Sequence, residues 1–453
     1  MLVKKMRWMN IYLILGGITA ASAYGQPCEY QEVAKLEPAE VSSSSQYGGS
    51  IAQWGDVVIV GAQSDDVLAN NSGSAFLFDA ETGVELARLL ALDGHNLLGF
   101  GGSVAINSTR AIVGNGWNPA DSSDEGVYLF DLESGQQVFR LSLEGSSQYT
   151  SFGSRLAAND QYILASAILD NDAADHAGAV YVYDAQTLEQ LWKLKLADGV
   201  EDDLFGYSIG IHGSKAIITT RVLNFDHRER EGLVYVFDLV TGQQIARFAP
   251  QQPGSSTYFG SSVAINDSIV AIGLPGVSCD EGRGSVYLYD LETEARIAIL
   301  NPTDNEPFWG FGGSLAMSND MIVVGSGQVS GVHFGAAYQF DASSFEQARN
   351  LQPSDAETSI DYFGATVSVL GDRVLVGSAA NDDDGGYSGS SYIFDLVCCE
   401  ADLNGDGSVD FFDVSIFLTL YILEDTRIDY TQDGVIDFFD VSEFLQAFAV
   451  GCP

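Results

Sequence analysis

Between Tyr47 and Asp395 the chain repeats one pattern of about fifty residues seven times, opening near Phe-Gly-x-Ser and closing on an aromatic-x-aromatic-Asp segment. The openings stand at Tyr47, Phe100, Phe152, Phe205, Phe259, Phe311 and Phe363, spaced by 53, 52, 53, 54, 52 and 52 residues. The closings run from Phe76 to Asp79, Tyr128 to Asp131, Tyr181 to Asp184, Tyr235 to Asp238, Tyr287 to Asp290, Tyr338 to Asp341 and Tyr392 to Asp395. A glycine precedes each of them, from Gly73 to Gly389. A period this regular marks units that cannot bury their apolar faces alone and must pack on their neighbours.

Within a unit the alternation of apolar residues and the turn signals predict four strands. In the second they are Gly102 to Asn107, Arg110 to Gly114, Val127 to Asp131 and Gln137 to Leu141. The first and second strands, and the third and fourth, are joined by short turns, while the other connections are long. In an antiparallel meander alternate connections emerge on the same face, so one face is trimmed and the other elaborated. Seven four-stranded sheets of this kind, arranged radially, make an all-β seven-bladed propeller with only short edges exposed. The last unit stops after its third strand, and Val33-Ala34-Lys35-Leu36 matches Val138-Phe139-Arg140-Leu141. The N-terminal segment is therefore expected to supply the outer strand of the seventh blade and close the ring; an open solenoid is the alternative.

These units resemble the FG-GAP repeat, the propeller unit of integrin α chains and of many exported bacterial proteins. The resemblance covers Tyr47 to Asp395 through phrases such as FGGSVAIN (100–107) with AIVG (111–114), and FGSSVAIN (259–266) with VAIG (270–273). It implies the fold more than a function. Integrin-type blades often carry a calcium loop of spaced Asp and Asn residues between the first two strands; here that connection departs from the pattern and is cut to turns such as Asn107-Ser108-Thr109, so calcium at that position is not implied.

Lys4, Lys5 and Arg7 precede an apolar run from Ile11 to Ile18 and an Ala21-Ser22-Ala23 cleavage signal. Residues 1–23 therefore read as a signal peptide, and the expectation is an exported, secreted or cell-surface protein with no membrane insertion after cleavage. Twenty basic residues against sixty-two acidic ones give a net charge of −42, which repels nucleic acid and anionic membrane surfaces. Acidic residues cluster in the long loops: Asp65-Asp66, Asp121 with Asp124 and Glu125, Asp170 with Asp172 and Asp175, and Asp382-Asp383-Asp384. They read as solvated charges, with divalent binding as the alternative. Trp117 on this face is either packed on a neighbouring loop or free to stack on a sugar ring.

After the propeller, expected over 24–397, the periodicity becomes helical. Residues 402–413 read DLNGDGSVDFFD, an EF-hand-type loop with oxygen ligands at positions one, three, five, seven, nine and twelve and glycine at six. Asp402, Asn404, Asp406, Asp410 and Asp413 would ligate Ca²⁺ through side chains and Ser408 through its carbonyl. The loop recurs as DYTQDGVIDFFD, giving Asp429, Thr431, Asp433, Asp437 and Asp440, with the carbonyl of Val435. Thr431 offers a hydroxyl where an amide or carboxylate is usual, so the second site is the weaker. Each loop runs into an apolar helix.

The duplicated loop and helix over 401–449 resemble a small all-α dockerin domain, expected here over 398–453. That resemblance implies two bound Ca²⁺ ions and attachment to a cohesin-like or other cell-envelope receptor. In cellulosomal dockerins the two residues after the ninth loop position are often Ser-Thr; here they are Phe411-Phe412 and Phe438-Phe439, an apolar substitute. Counting from matched strands, Cys28 falls beside the position of Cys398, so a bond between them would lock the ring, and Cys399 with Cys452 would close the C-terminal domain. The pairing of Cys28 with Cys399 and Cys398 with Cys452 is the alternative, and Cys279 is left over.

The five histidines, His95, His176, His212, His227 and His333, fall at unrelated repeat positions, and the chain has no nucleophile elbow, zinc-protease helix or phosphate loop. The expectation is a non-catalytic binding protein whose propeller takes a protein or polysaccharide. A polysaccharide-degrading hydrolase or lyase is the competing class and a self-assembling envelope protein the third.

Overall fold

The computed structural model describes residues 28–450 except 69–70, 92–98, 116–124, 144–149, 222–231, 251–257, 276–283, 304–309, 328–334, 356–361, 381–387, 399–400, 402, 404–408, 424 and 432–433. The signal peptide expected over 1–23 lies outside them. The chain forms two compact units, one over Glu32–Asp395 and one containing Leu396–Pro453.

The first unit is a seven-bladed β-propeller of four-stranded antiparallel sheets. In the second blade the strands are Phe100–Ile106, Arg110–Asn115, Val127–Asp131 and Gln137–Leu141, within two residues of the sequence expectation. Strand Cys28–Leu36 lies beside Ser390–Cys398 and completes the seventh blade with Arg373–Ser378 and Phe363–Leu370. The N-terminal segment thus supplies the missing outer strand, and the solenoid is excluded.

Each letter of the repeat has a physical reason. The opening aromatic is buried and meets the first aromatic of its own third strand edge-on, with centroids from 5.3 Å for Phe311 and Tyr338 to 5.8 Å for Phe205 and Tyr235. The glycine after it adopts positive φ in every blade, between 81° at Gly48 and 100° at Gly206. At five of the seven seams its carbonyl accepts a hydroxyl from the preceding blade, as in Ser50 Oγ to Gly101 O at 2.7 Å, Ser262 Oγ to Gly312 O at 2.7 Å and Ser314 Oγ to Gly364 O at 2.9 Å. Thr366 Oγ1 donates to Gly48 O at 2.7 Å, so blade seven is tied to blade one by the same bond. The glycine before the third strand lies where the next blade's aromatic passes. A methyl group on Gly73 would overlap the Phe100 carbonyl, and one on Gly389 the Tyr47 carbonyl.

The aspartate that ends the motif caps the turn to the fourth strand. Thr82 donates to Asp79 Oδ1 through its amide at 2.8 Å and its hydroxyl at 2.7 Å, and Ser134 does the same for Asp131 at 2.9 and 2.7 Å. Hydroxyl and amide donors hold Asp79, Asp131, Asp290 and Asp341 below the usual carboxylate range; at Asp184 the Thr187 amide leads. A carboxyl depressed on folding adds stability that is complete above its unfolded pKa of about 4 and is lost as pH falls through the folded value. The melting temperature of wild type should therefore exceed that of Asp341→Asn above about pH 4, and the gap should close on acidification. A gap that is constant or widens down to pH 2 would contradict the assigned turn.

Candidate functional site

The long-loop face is held by basic residues of the outer strands. Arg88, Arg140, Lys193 and Arg247 each stand opposite the first aromatic of the third strand and lie over its ring at 5.1 to 5.7 Å, and Lys35 lies over Tyr392 at 5.8 Å. In a chain with twenty basic residues, five at one repeat position is a signal the sequence carries openly at spacings of 53, 52, 53 and 54.

Those cations take up the acidic loop residues. Asp65 is 1% exposed, ion-paired with Arg88, and accepts from Ser42 Oγ at 2.8 Å and Ser74 Oγ at 2.5 Å. Burial pushes its carboxyl up, but those donors outweigh burial and hold it below the usual range. Asp170 is likewise buried, 2.9 Å from Lys193 Nζ and 2.9 Å from the Tyr181 hydroxyl, which burial pushes up to about 12. Asp172 is 2.7 Å from Lys195 Nζ. The expectation of solvated charges is thus corrected for Asp65 and Asp170, because a carboxylate kept away from water needs a countercharge. Glu125 accepts the Thr150 and Ser151 amides at 2.6 Å each, and the Asp175 carbonyl accepts the Asp202 amide at 2.9 Å. Trp117, Asp121, Asp124, Asp382, Asp383, Asp384, Cys279, His95, His227 and His333 lie outside the described residues. His176 is 3.2 Å from Asp202, and His212 is 3.2 Å from Asp267, which also accepts from Asn319 Nδ2 at 3.3 Å. Around the axis the inner strands leave a cavity of about 740 Å³, walled by Ile51, Val104, Leu156, Ile211, Met317 and Val369 among others.

The C-terminal unit has two helices, α1 over Phe411–Leu423 and α2 over Phe438–Val450, stacked through Phe417 and Phe444 with centroids 4.1 Å apart. Both helices start in the same way. Asp410 Oδ1 accepts the Phe412 amide at 2.7 Å while Asp413 Oδ2 accepts the Asp410 amide at 2.9 Å; for Asp437, Phe439 and Asp440 the distances are 2.8 and 2.8 Å. This is a reciprocal capping box built from aspartates. Asp413 and Asp440 are fully buried.

In the second loop Thr431 Oγ1 lies 3.1 Å from Asp440 Oδ1 and 3.4 Å from Asp429 Oδ1, and the Gly434 amide donates to Asp429 Oδ2 at 2.9 Å. Gly434 has φ +81°, the sharp turn that position six requires. Burial raises the Asp440 carboxyl, yet the amides of Asp437 and Thr431 bring it below the usual range. Asp429, Thr431 and Asp440 are thus brought together, Asp437 and Asp410 serve as helix caps, and Val435 is exposed. Asp402, Asn404, Asp406, Ser408 and Asp433 lie outside the described residues, and among the described ones no group of three or more acid, histidine or cysteine side chains is gathered as for a metal. The hard oxygen donors and the turn geometry nonetheless fit a divalent cation such as Ca²⁺.

Cys28 begins the outer strand of blade seven and Cys398 ends the strand beside it, but their side chains, with those of Cys399 and Cys452, lie outside the described residues. Among the described residues no helix is long and apolar enough to cross a membrane.

No curated protein matches the sequence. The family model described as FG-GAP repeat matches residues 30–78 and 345–394, the two stretches that flank the closure of the ring. The chain is a seven-bladed β-propeller that carries FG-GAP repeats.

Proposed function

We propose that this is an exported, non-catalytic adhesion protein: the long-loop face of the propeller recognises a protein or polysaccharide, and a calcium-dependent, dockerin-like C-terminal domain attaches the molecule to a cohesin-like or other cell-envelope receptor. The observation that carries the reading is the exact repetition of one arrangement in the two loop-and-helix units. Both use the same aspartate capping box, and both leave a phenylalanine pair in solvent, with Phe411 76% and Phe438 73% exposed. A small domain that spends four large apolar side chains on its surface in duplicate is built to be covered. Asp402, Asn404, Asp406, Asp410 and Asp413 would hold one Ca²⁺, and Asp429, Thr431, Asp433, Asp437 and Asp440 the other, with the carbonyls of Ser408 and Val435. The bound ions would neutralise the clustered carboxylates and fix the entry to each helix.

The test is binding of the mature protein, and of a form truncated after Val397, to envelopes of the producing cells with calcium and with chelator. The expected result is retention of the intact protein in calcium and its release by chelator, with no retention of the truncated form. Retention that survives both truncation and chelation would transfer the attachment to the propeller.

A further inference from the structure

The rule that ties neighbouring blades fails at two adjacent seams. Hydroxyl-to-carbonyl bonds join blades one to two, two to three, five to six, six to seven and seven to one. Between blades three and four, and four and five, no such bond is present among the described residues. At the first of these, Arg155 stands where the other blades have serine or threonine, and Tyr207, in the next blade, stands where the others have glycine, serine or alanine. Beside them, Ser166 and Thr219 occupy the position that is Gly61, Gly114, Gly273, Gly325 and Gly377 in the remaining blades. A side chain there fills the space that the next blade's carbonyl enters elsewhere, as the overlap of a methyl on Gly61 with Gly101 O shows.

What replaces the bond is a pair of arginines. The Arg155 guanidinium lies 5.7 Å over the Tyr207 ring and the Arg221 guanidinium 4.7 Å over the same ring and 5.6 Å over Tyr258, while Arg221 also donates to the Tyr207 hydroxyl. All four residues sit at the long-loop ends of their elements: Arg155 and Tyr207 just after their opening phenylalanines, Arg221 just past its second strand, and Tyr258 just before Phe259. Among the described residues neither guanidinium has a carboxylate partner; Arg155 Nη1 donates only to Ser154 O at 2.8 Å. Asp203, whose carbonyl accepts the Arg221 amide at 3.0 Å, keeps its own carboxylate buried, accepting from the Val200 amide at 2.9 Å. Arg155 is exposed, and partial desolvation, with Arg221 beside it, pulls its pKa down.

Two like charges side by side are costly, and a chain of net charge −42 does not lack acids to neutralise them. Local rules broken together, at the cost of placing two like charges side by side, are expected at functional or strained sites. We propose that Arg155 and Arg221 form a carboxylate clamp at the inner rim of the long-loop face, and that its ligand is a uronic-acid residue of a glycan. A guanidinium presents paired donors that match a carboxylate in one plane, and the half-buried rings of Tyr207 and Tyr258 border the clamp with the apolar edge a sugar ring needs. The strongly negative surface disfavours densely charged polyanions, which leaves ligands whose carboxylates are spaced by neutral sugars. This site rests on the reading of the propeller as a recognition module and names its ligand class.

The experiment is calorimetric titration of the intact protein with an oligosaccharide of alternating glucuronic acid and neutral sugar, with its carboxyl-reduced counterpart, and with an acidic hexapeptide. The variants are Arg155→Ser, which restores the residue of the other blades and so should fold at least as well, and Arg221→Gln. Binding of the uronate glycan, about tenfold or more weaker in each variant and absent for the reduced form, is the expected result. Glycan binding that is unchanged in both variants would overturn the clamp while leaving recognition by the propeller in place. Arginine-dependent binding of the hexapeptide alone would overturn the glycan as ligand, and no binding of any probe by wild type would overturn the proposal as a whole.

Discussion

A Gly389→Ala variant is expected to lose about 3 to 5 kcal/mol of propeller stability, against about 1 kcal/mol for Gly55→Ala. Both glycines have positive φ, +89° and +54°, so both substitutions carry the cost of a left-handed alanine. Only Gly389 adds a collision. Its new methyl would overlap the Tyr47 carbonyl across the seam that closes the ring, whereas nothing lies within 4 Å of Gly55. Both partners at that seam are backbone, so relief requires blades one and seven to part, which would also strain the bonds from Tyr47 N to Ser388 O at 3.1 Å and from Thr366 Oγ1 to Gly48 O at 2.7 Å. Denaturant titration followed by near-ultraviolet circular dichroism separates the two variants. Equal losses for both would mean that the seam between blades seven and one is not a rigid closure.

The seam was legible in the sequence because its residues are constrained by backbone geometry. A glycine that must let the next blade's backbone pass cannot drift, and at this seam a hydroxyl ties the passing carbonyl, so Gly389, Tyr47 and Thr366 stand at the spacing of the repeat and announce the ring. The third-strand aspartates were equally visible but could not be assigned, since the hydrogen bonds that make Asp341 a turn cap lie within three residues and look like any polar turn. Asp65 and Asp170 were misread for a different reason. Whether a loop carboxylate is solvated or buried depends on a cation some twenty residues away, on Arg88 or Lys193, and the partnership appears only once the fourth strand is laid beside the third. Arg155 and Tyr207 were hidden by the strength of the pattern around them. Seven aligned openings invite a consensus, and a consensus erases the two positions at which one sector departs from it.

Chelation is expected to melt α1 and α2 while leaving the propeller folded, if the two loops hold calcium as proposed. Each helix has thirteen residues, at the margin of what stands alone in water even for the best helix-forming sequences. Their shared core is small: among the described residues its buried members are Ala401, Leu403, Phe417, Leu420, Ile428 and Phe444, and a domain of this size ordinarily needs a metal or disulfides to remain folded. Four aspartates crowd each loop, and in the second Asp440 is fully buried with Asp429 brought near it through Thr431. Without a cation those charges repel, and the repulsion acts at the N-terminus of the helix that the same carboxylates cap. Far-ultraviolet circular dichroism should therefore lose nearly all of its helical component in excess chelator and regain it at calcium concentrations of roughly 10⁻⁴ to 10⁻³ M, the range typical of extracellular modules. Asp440→Ala should require more calcium than wild type to recover the signal of α2. The near-ultraviolet signal of the propeller's tyrosines should stay constant throughout, because its blades are tied by hydroxyl bonds, glycine contacts and aromatic pairs between the protein's own groups. A helical signal that persists undiminished in chelator would instead make the stacked Phe417 and Phe444 and their neighbours sufficient to hold the domain, and would remove calcium from the attachment proposed for it.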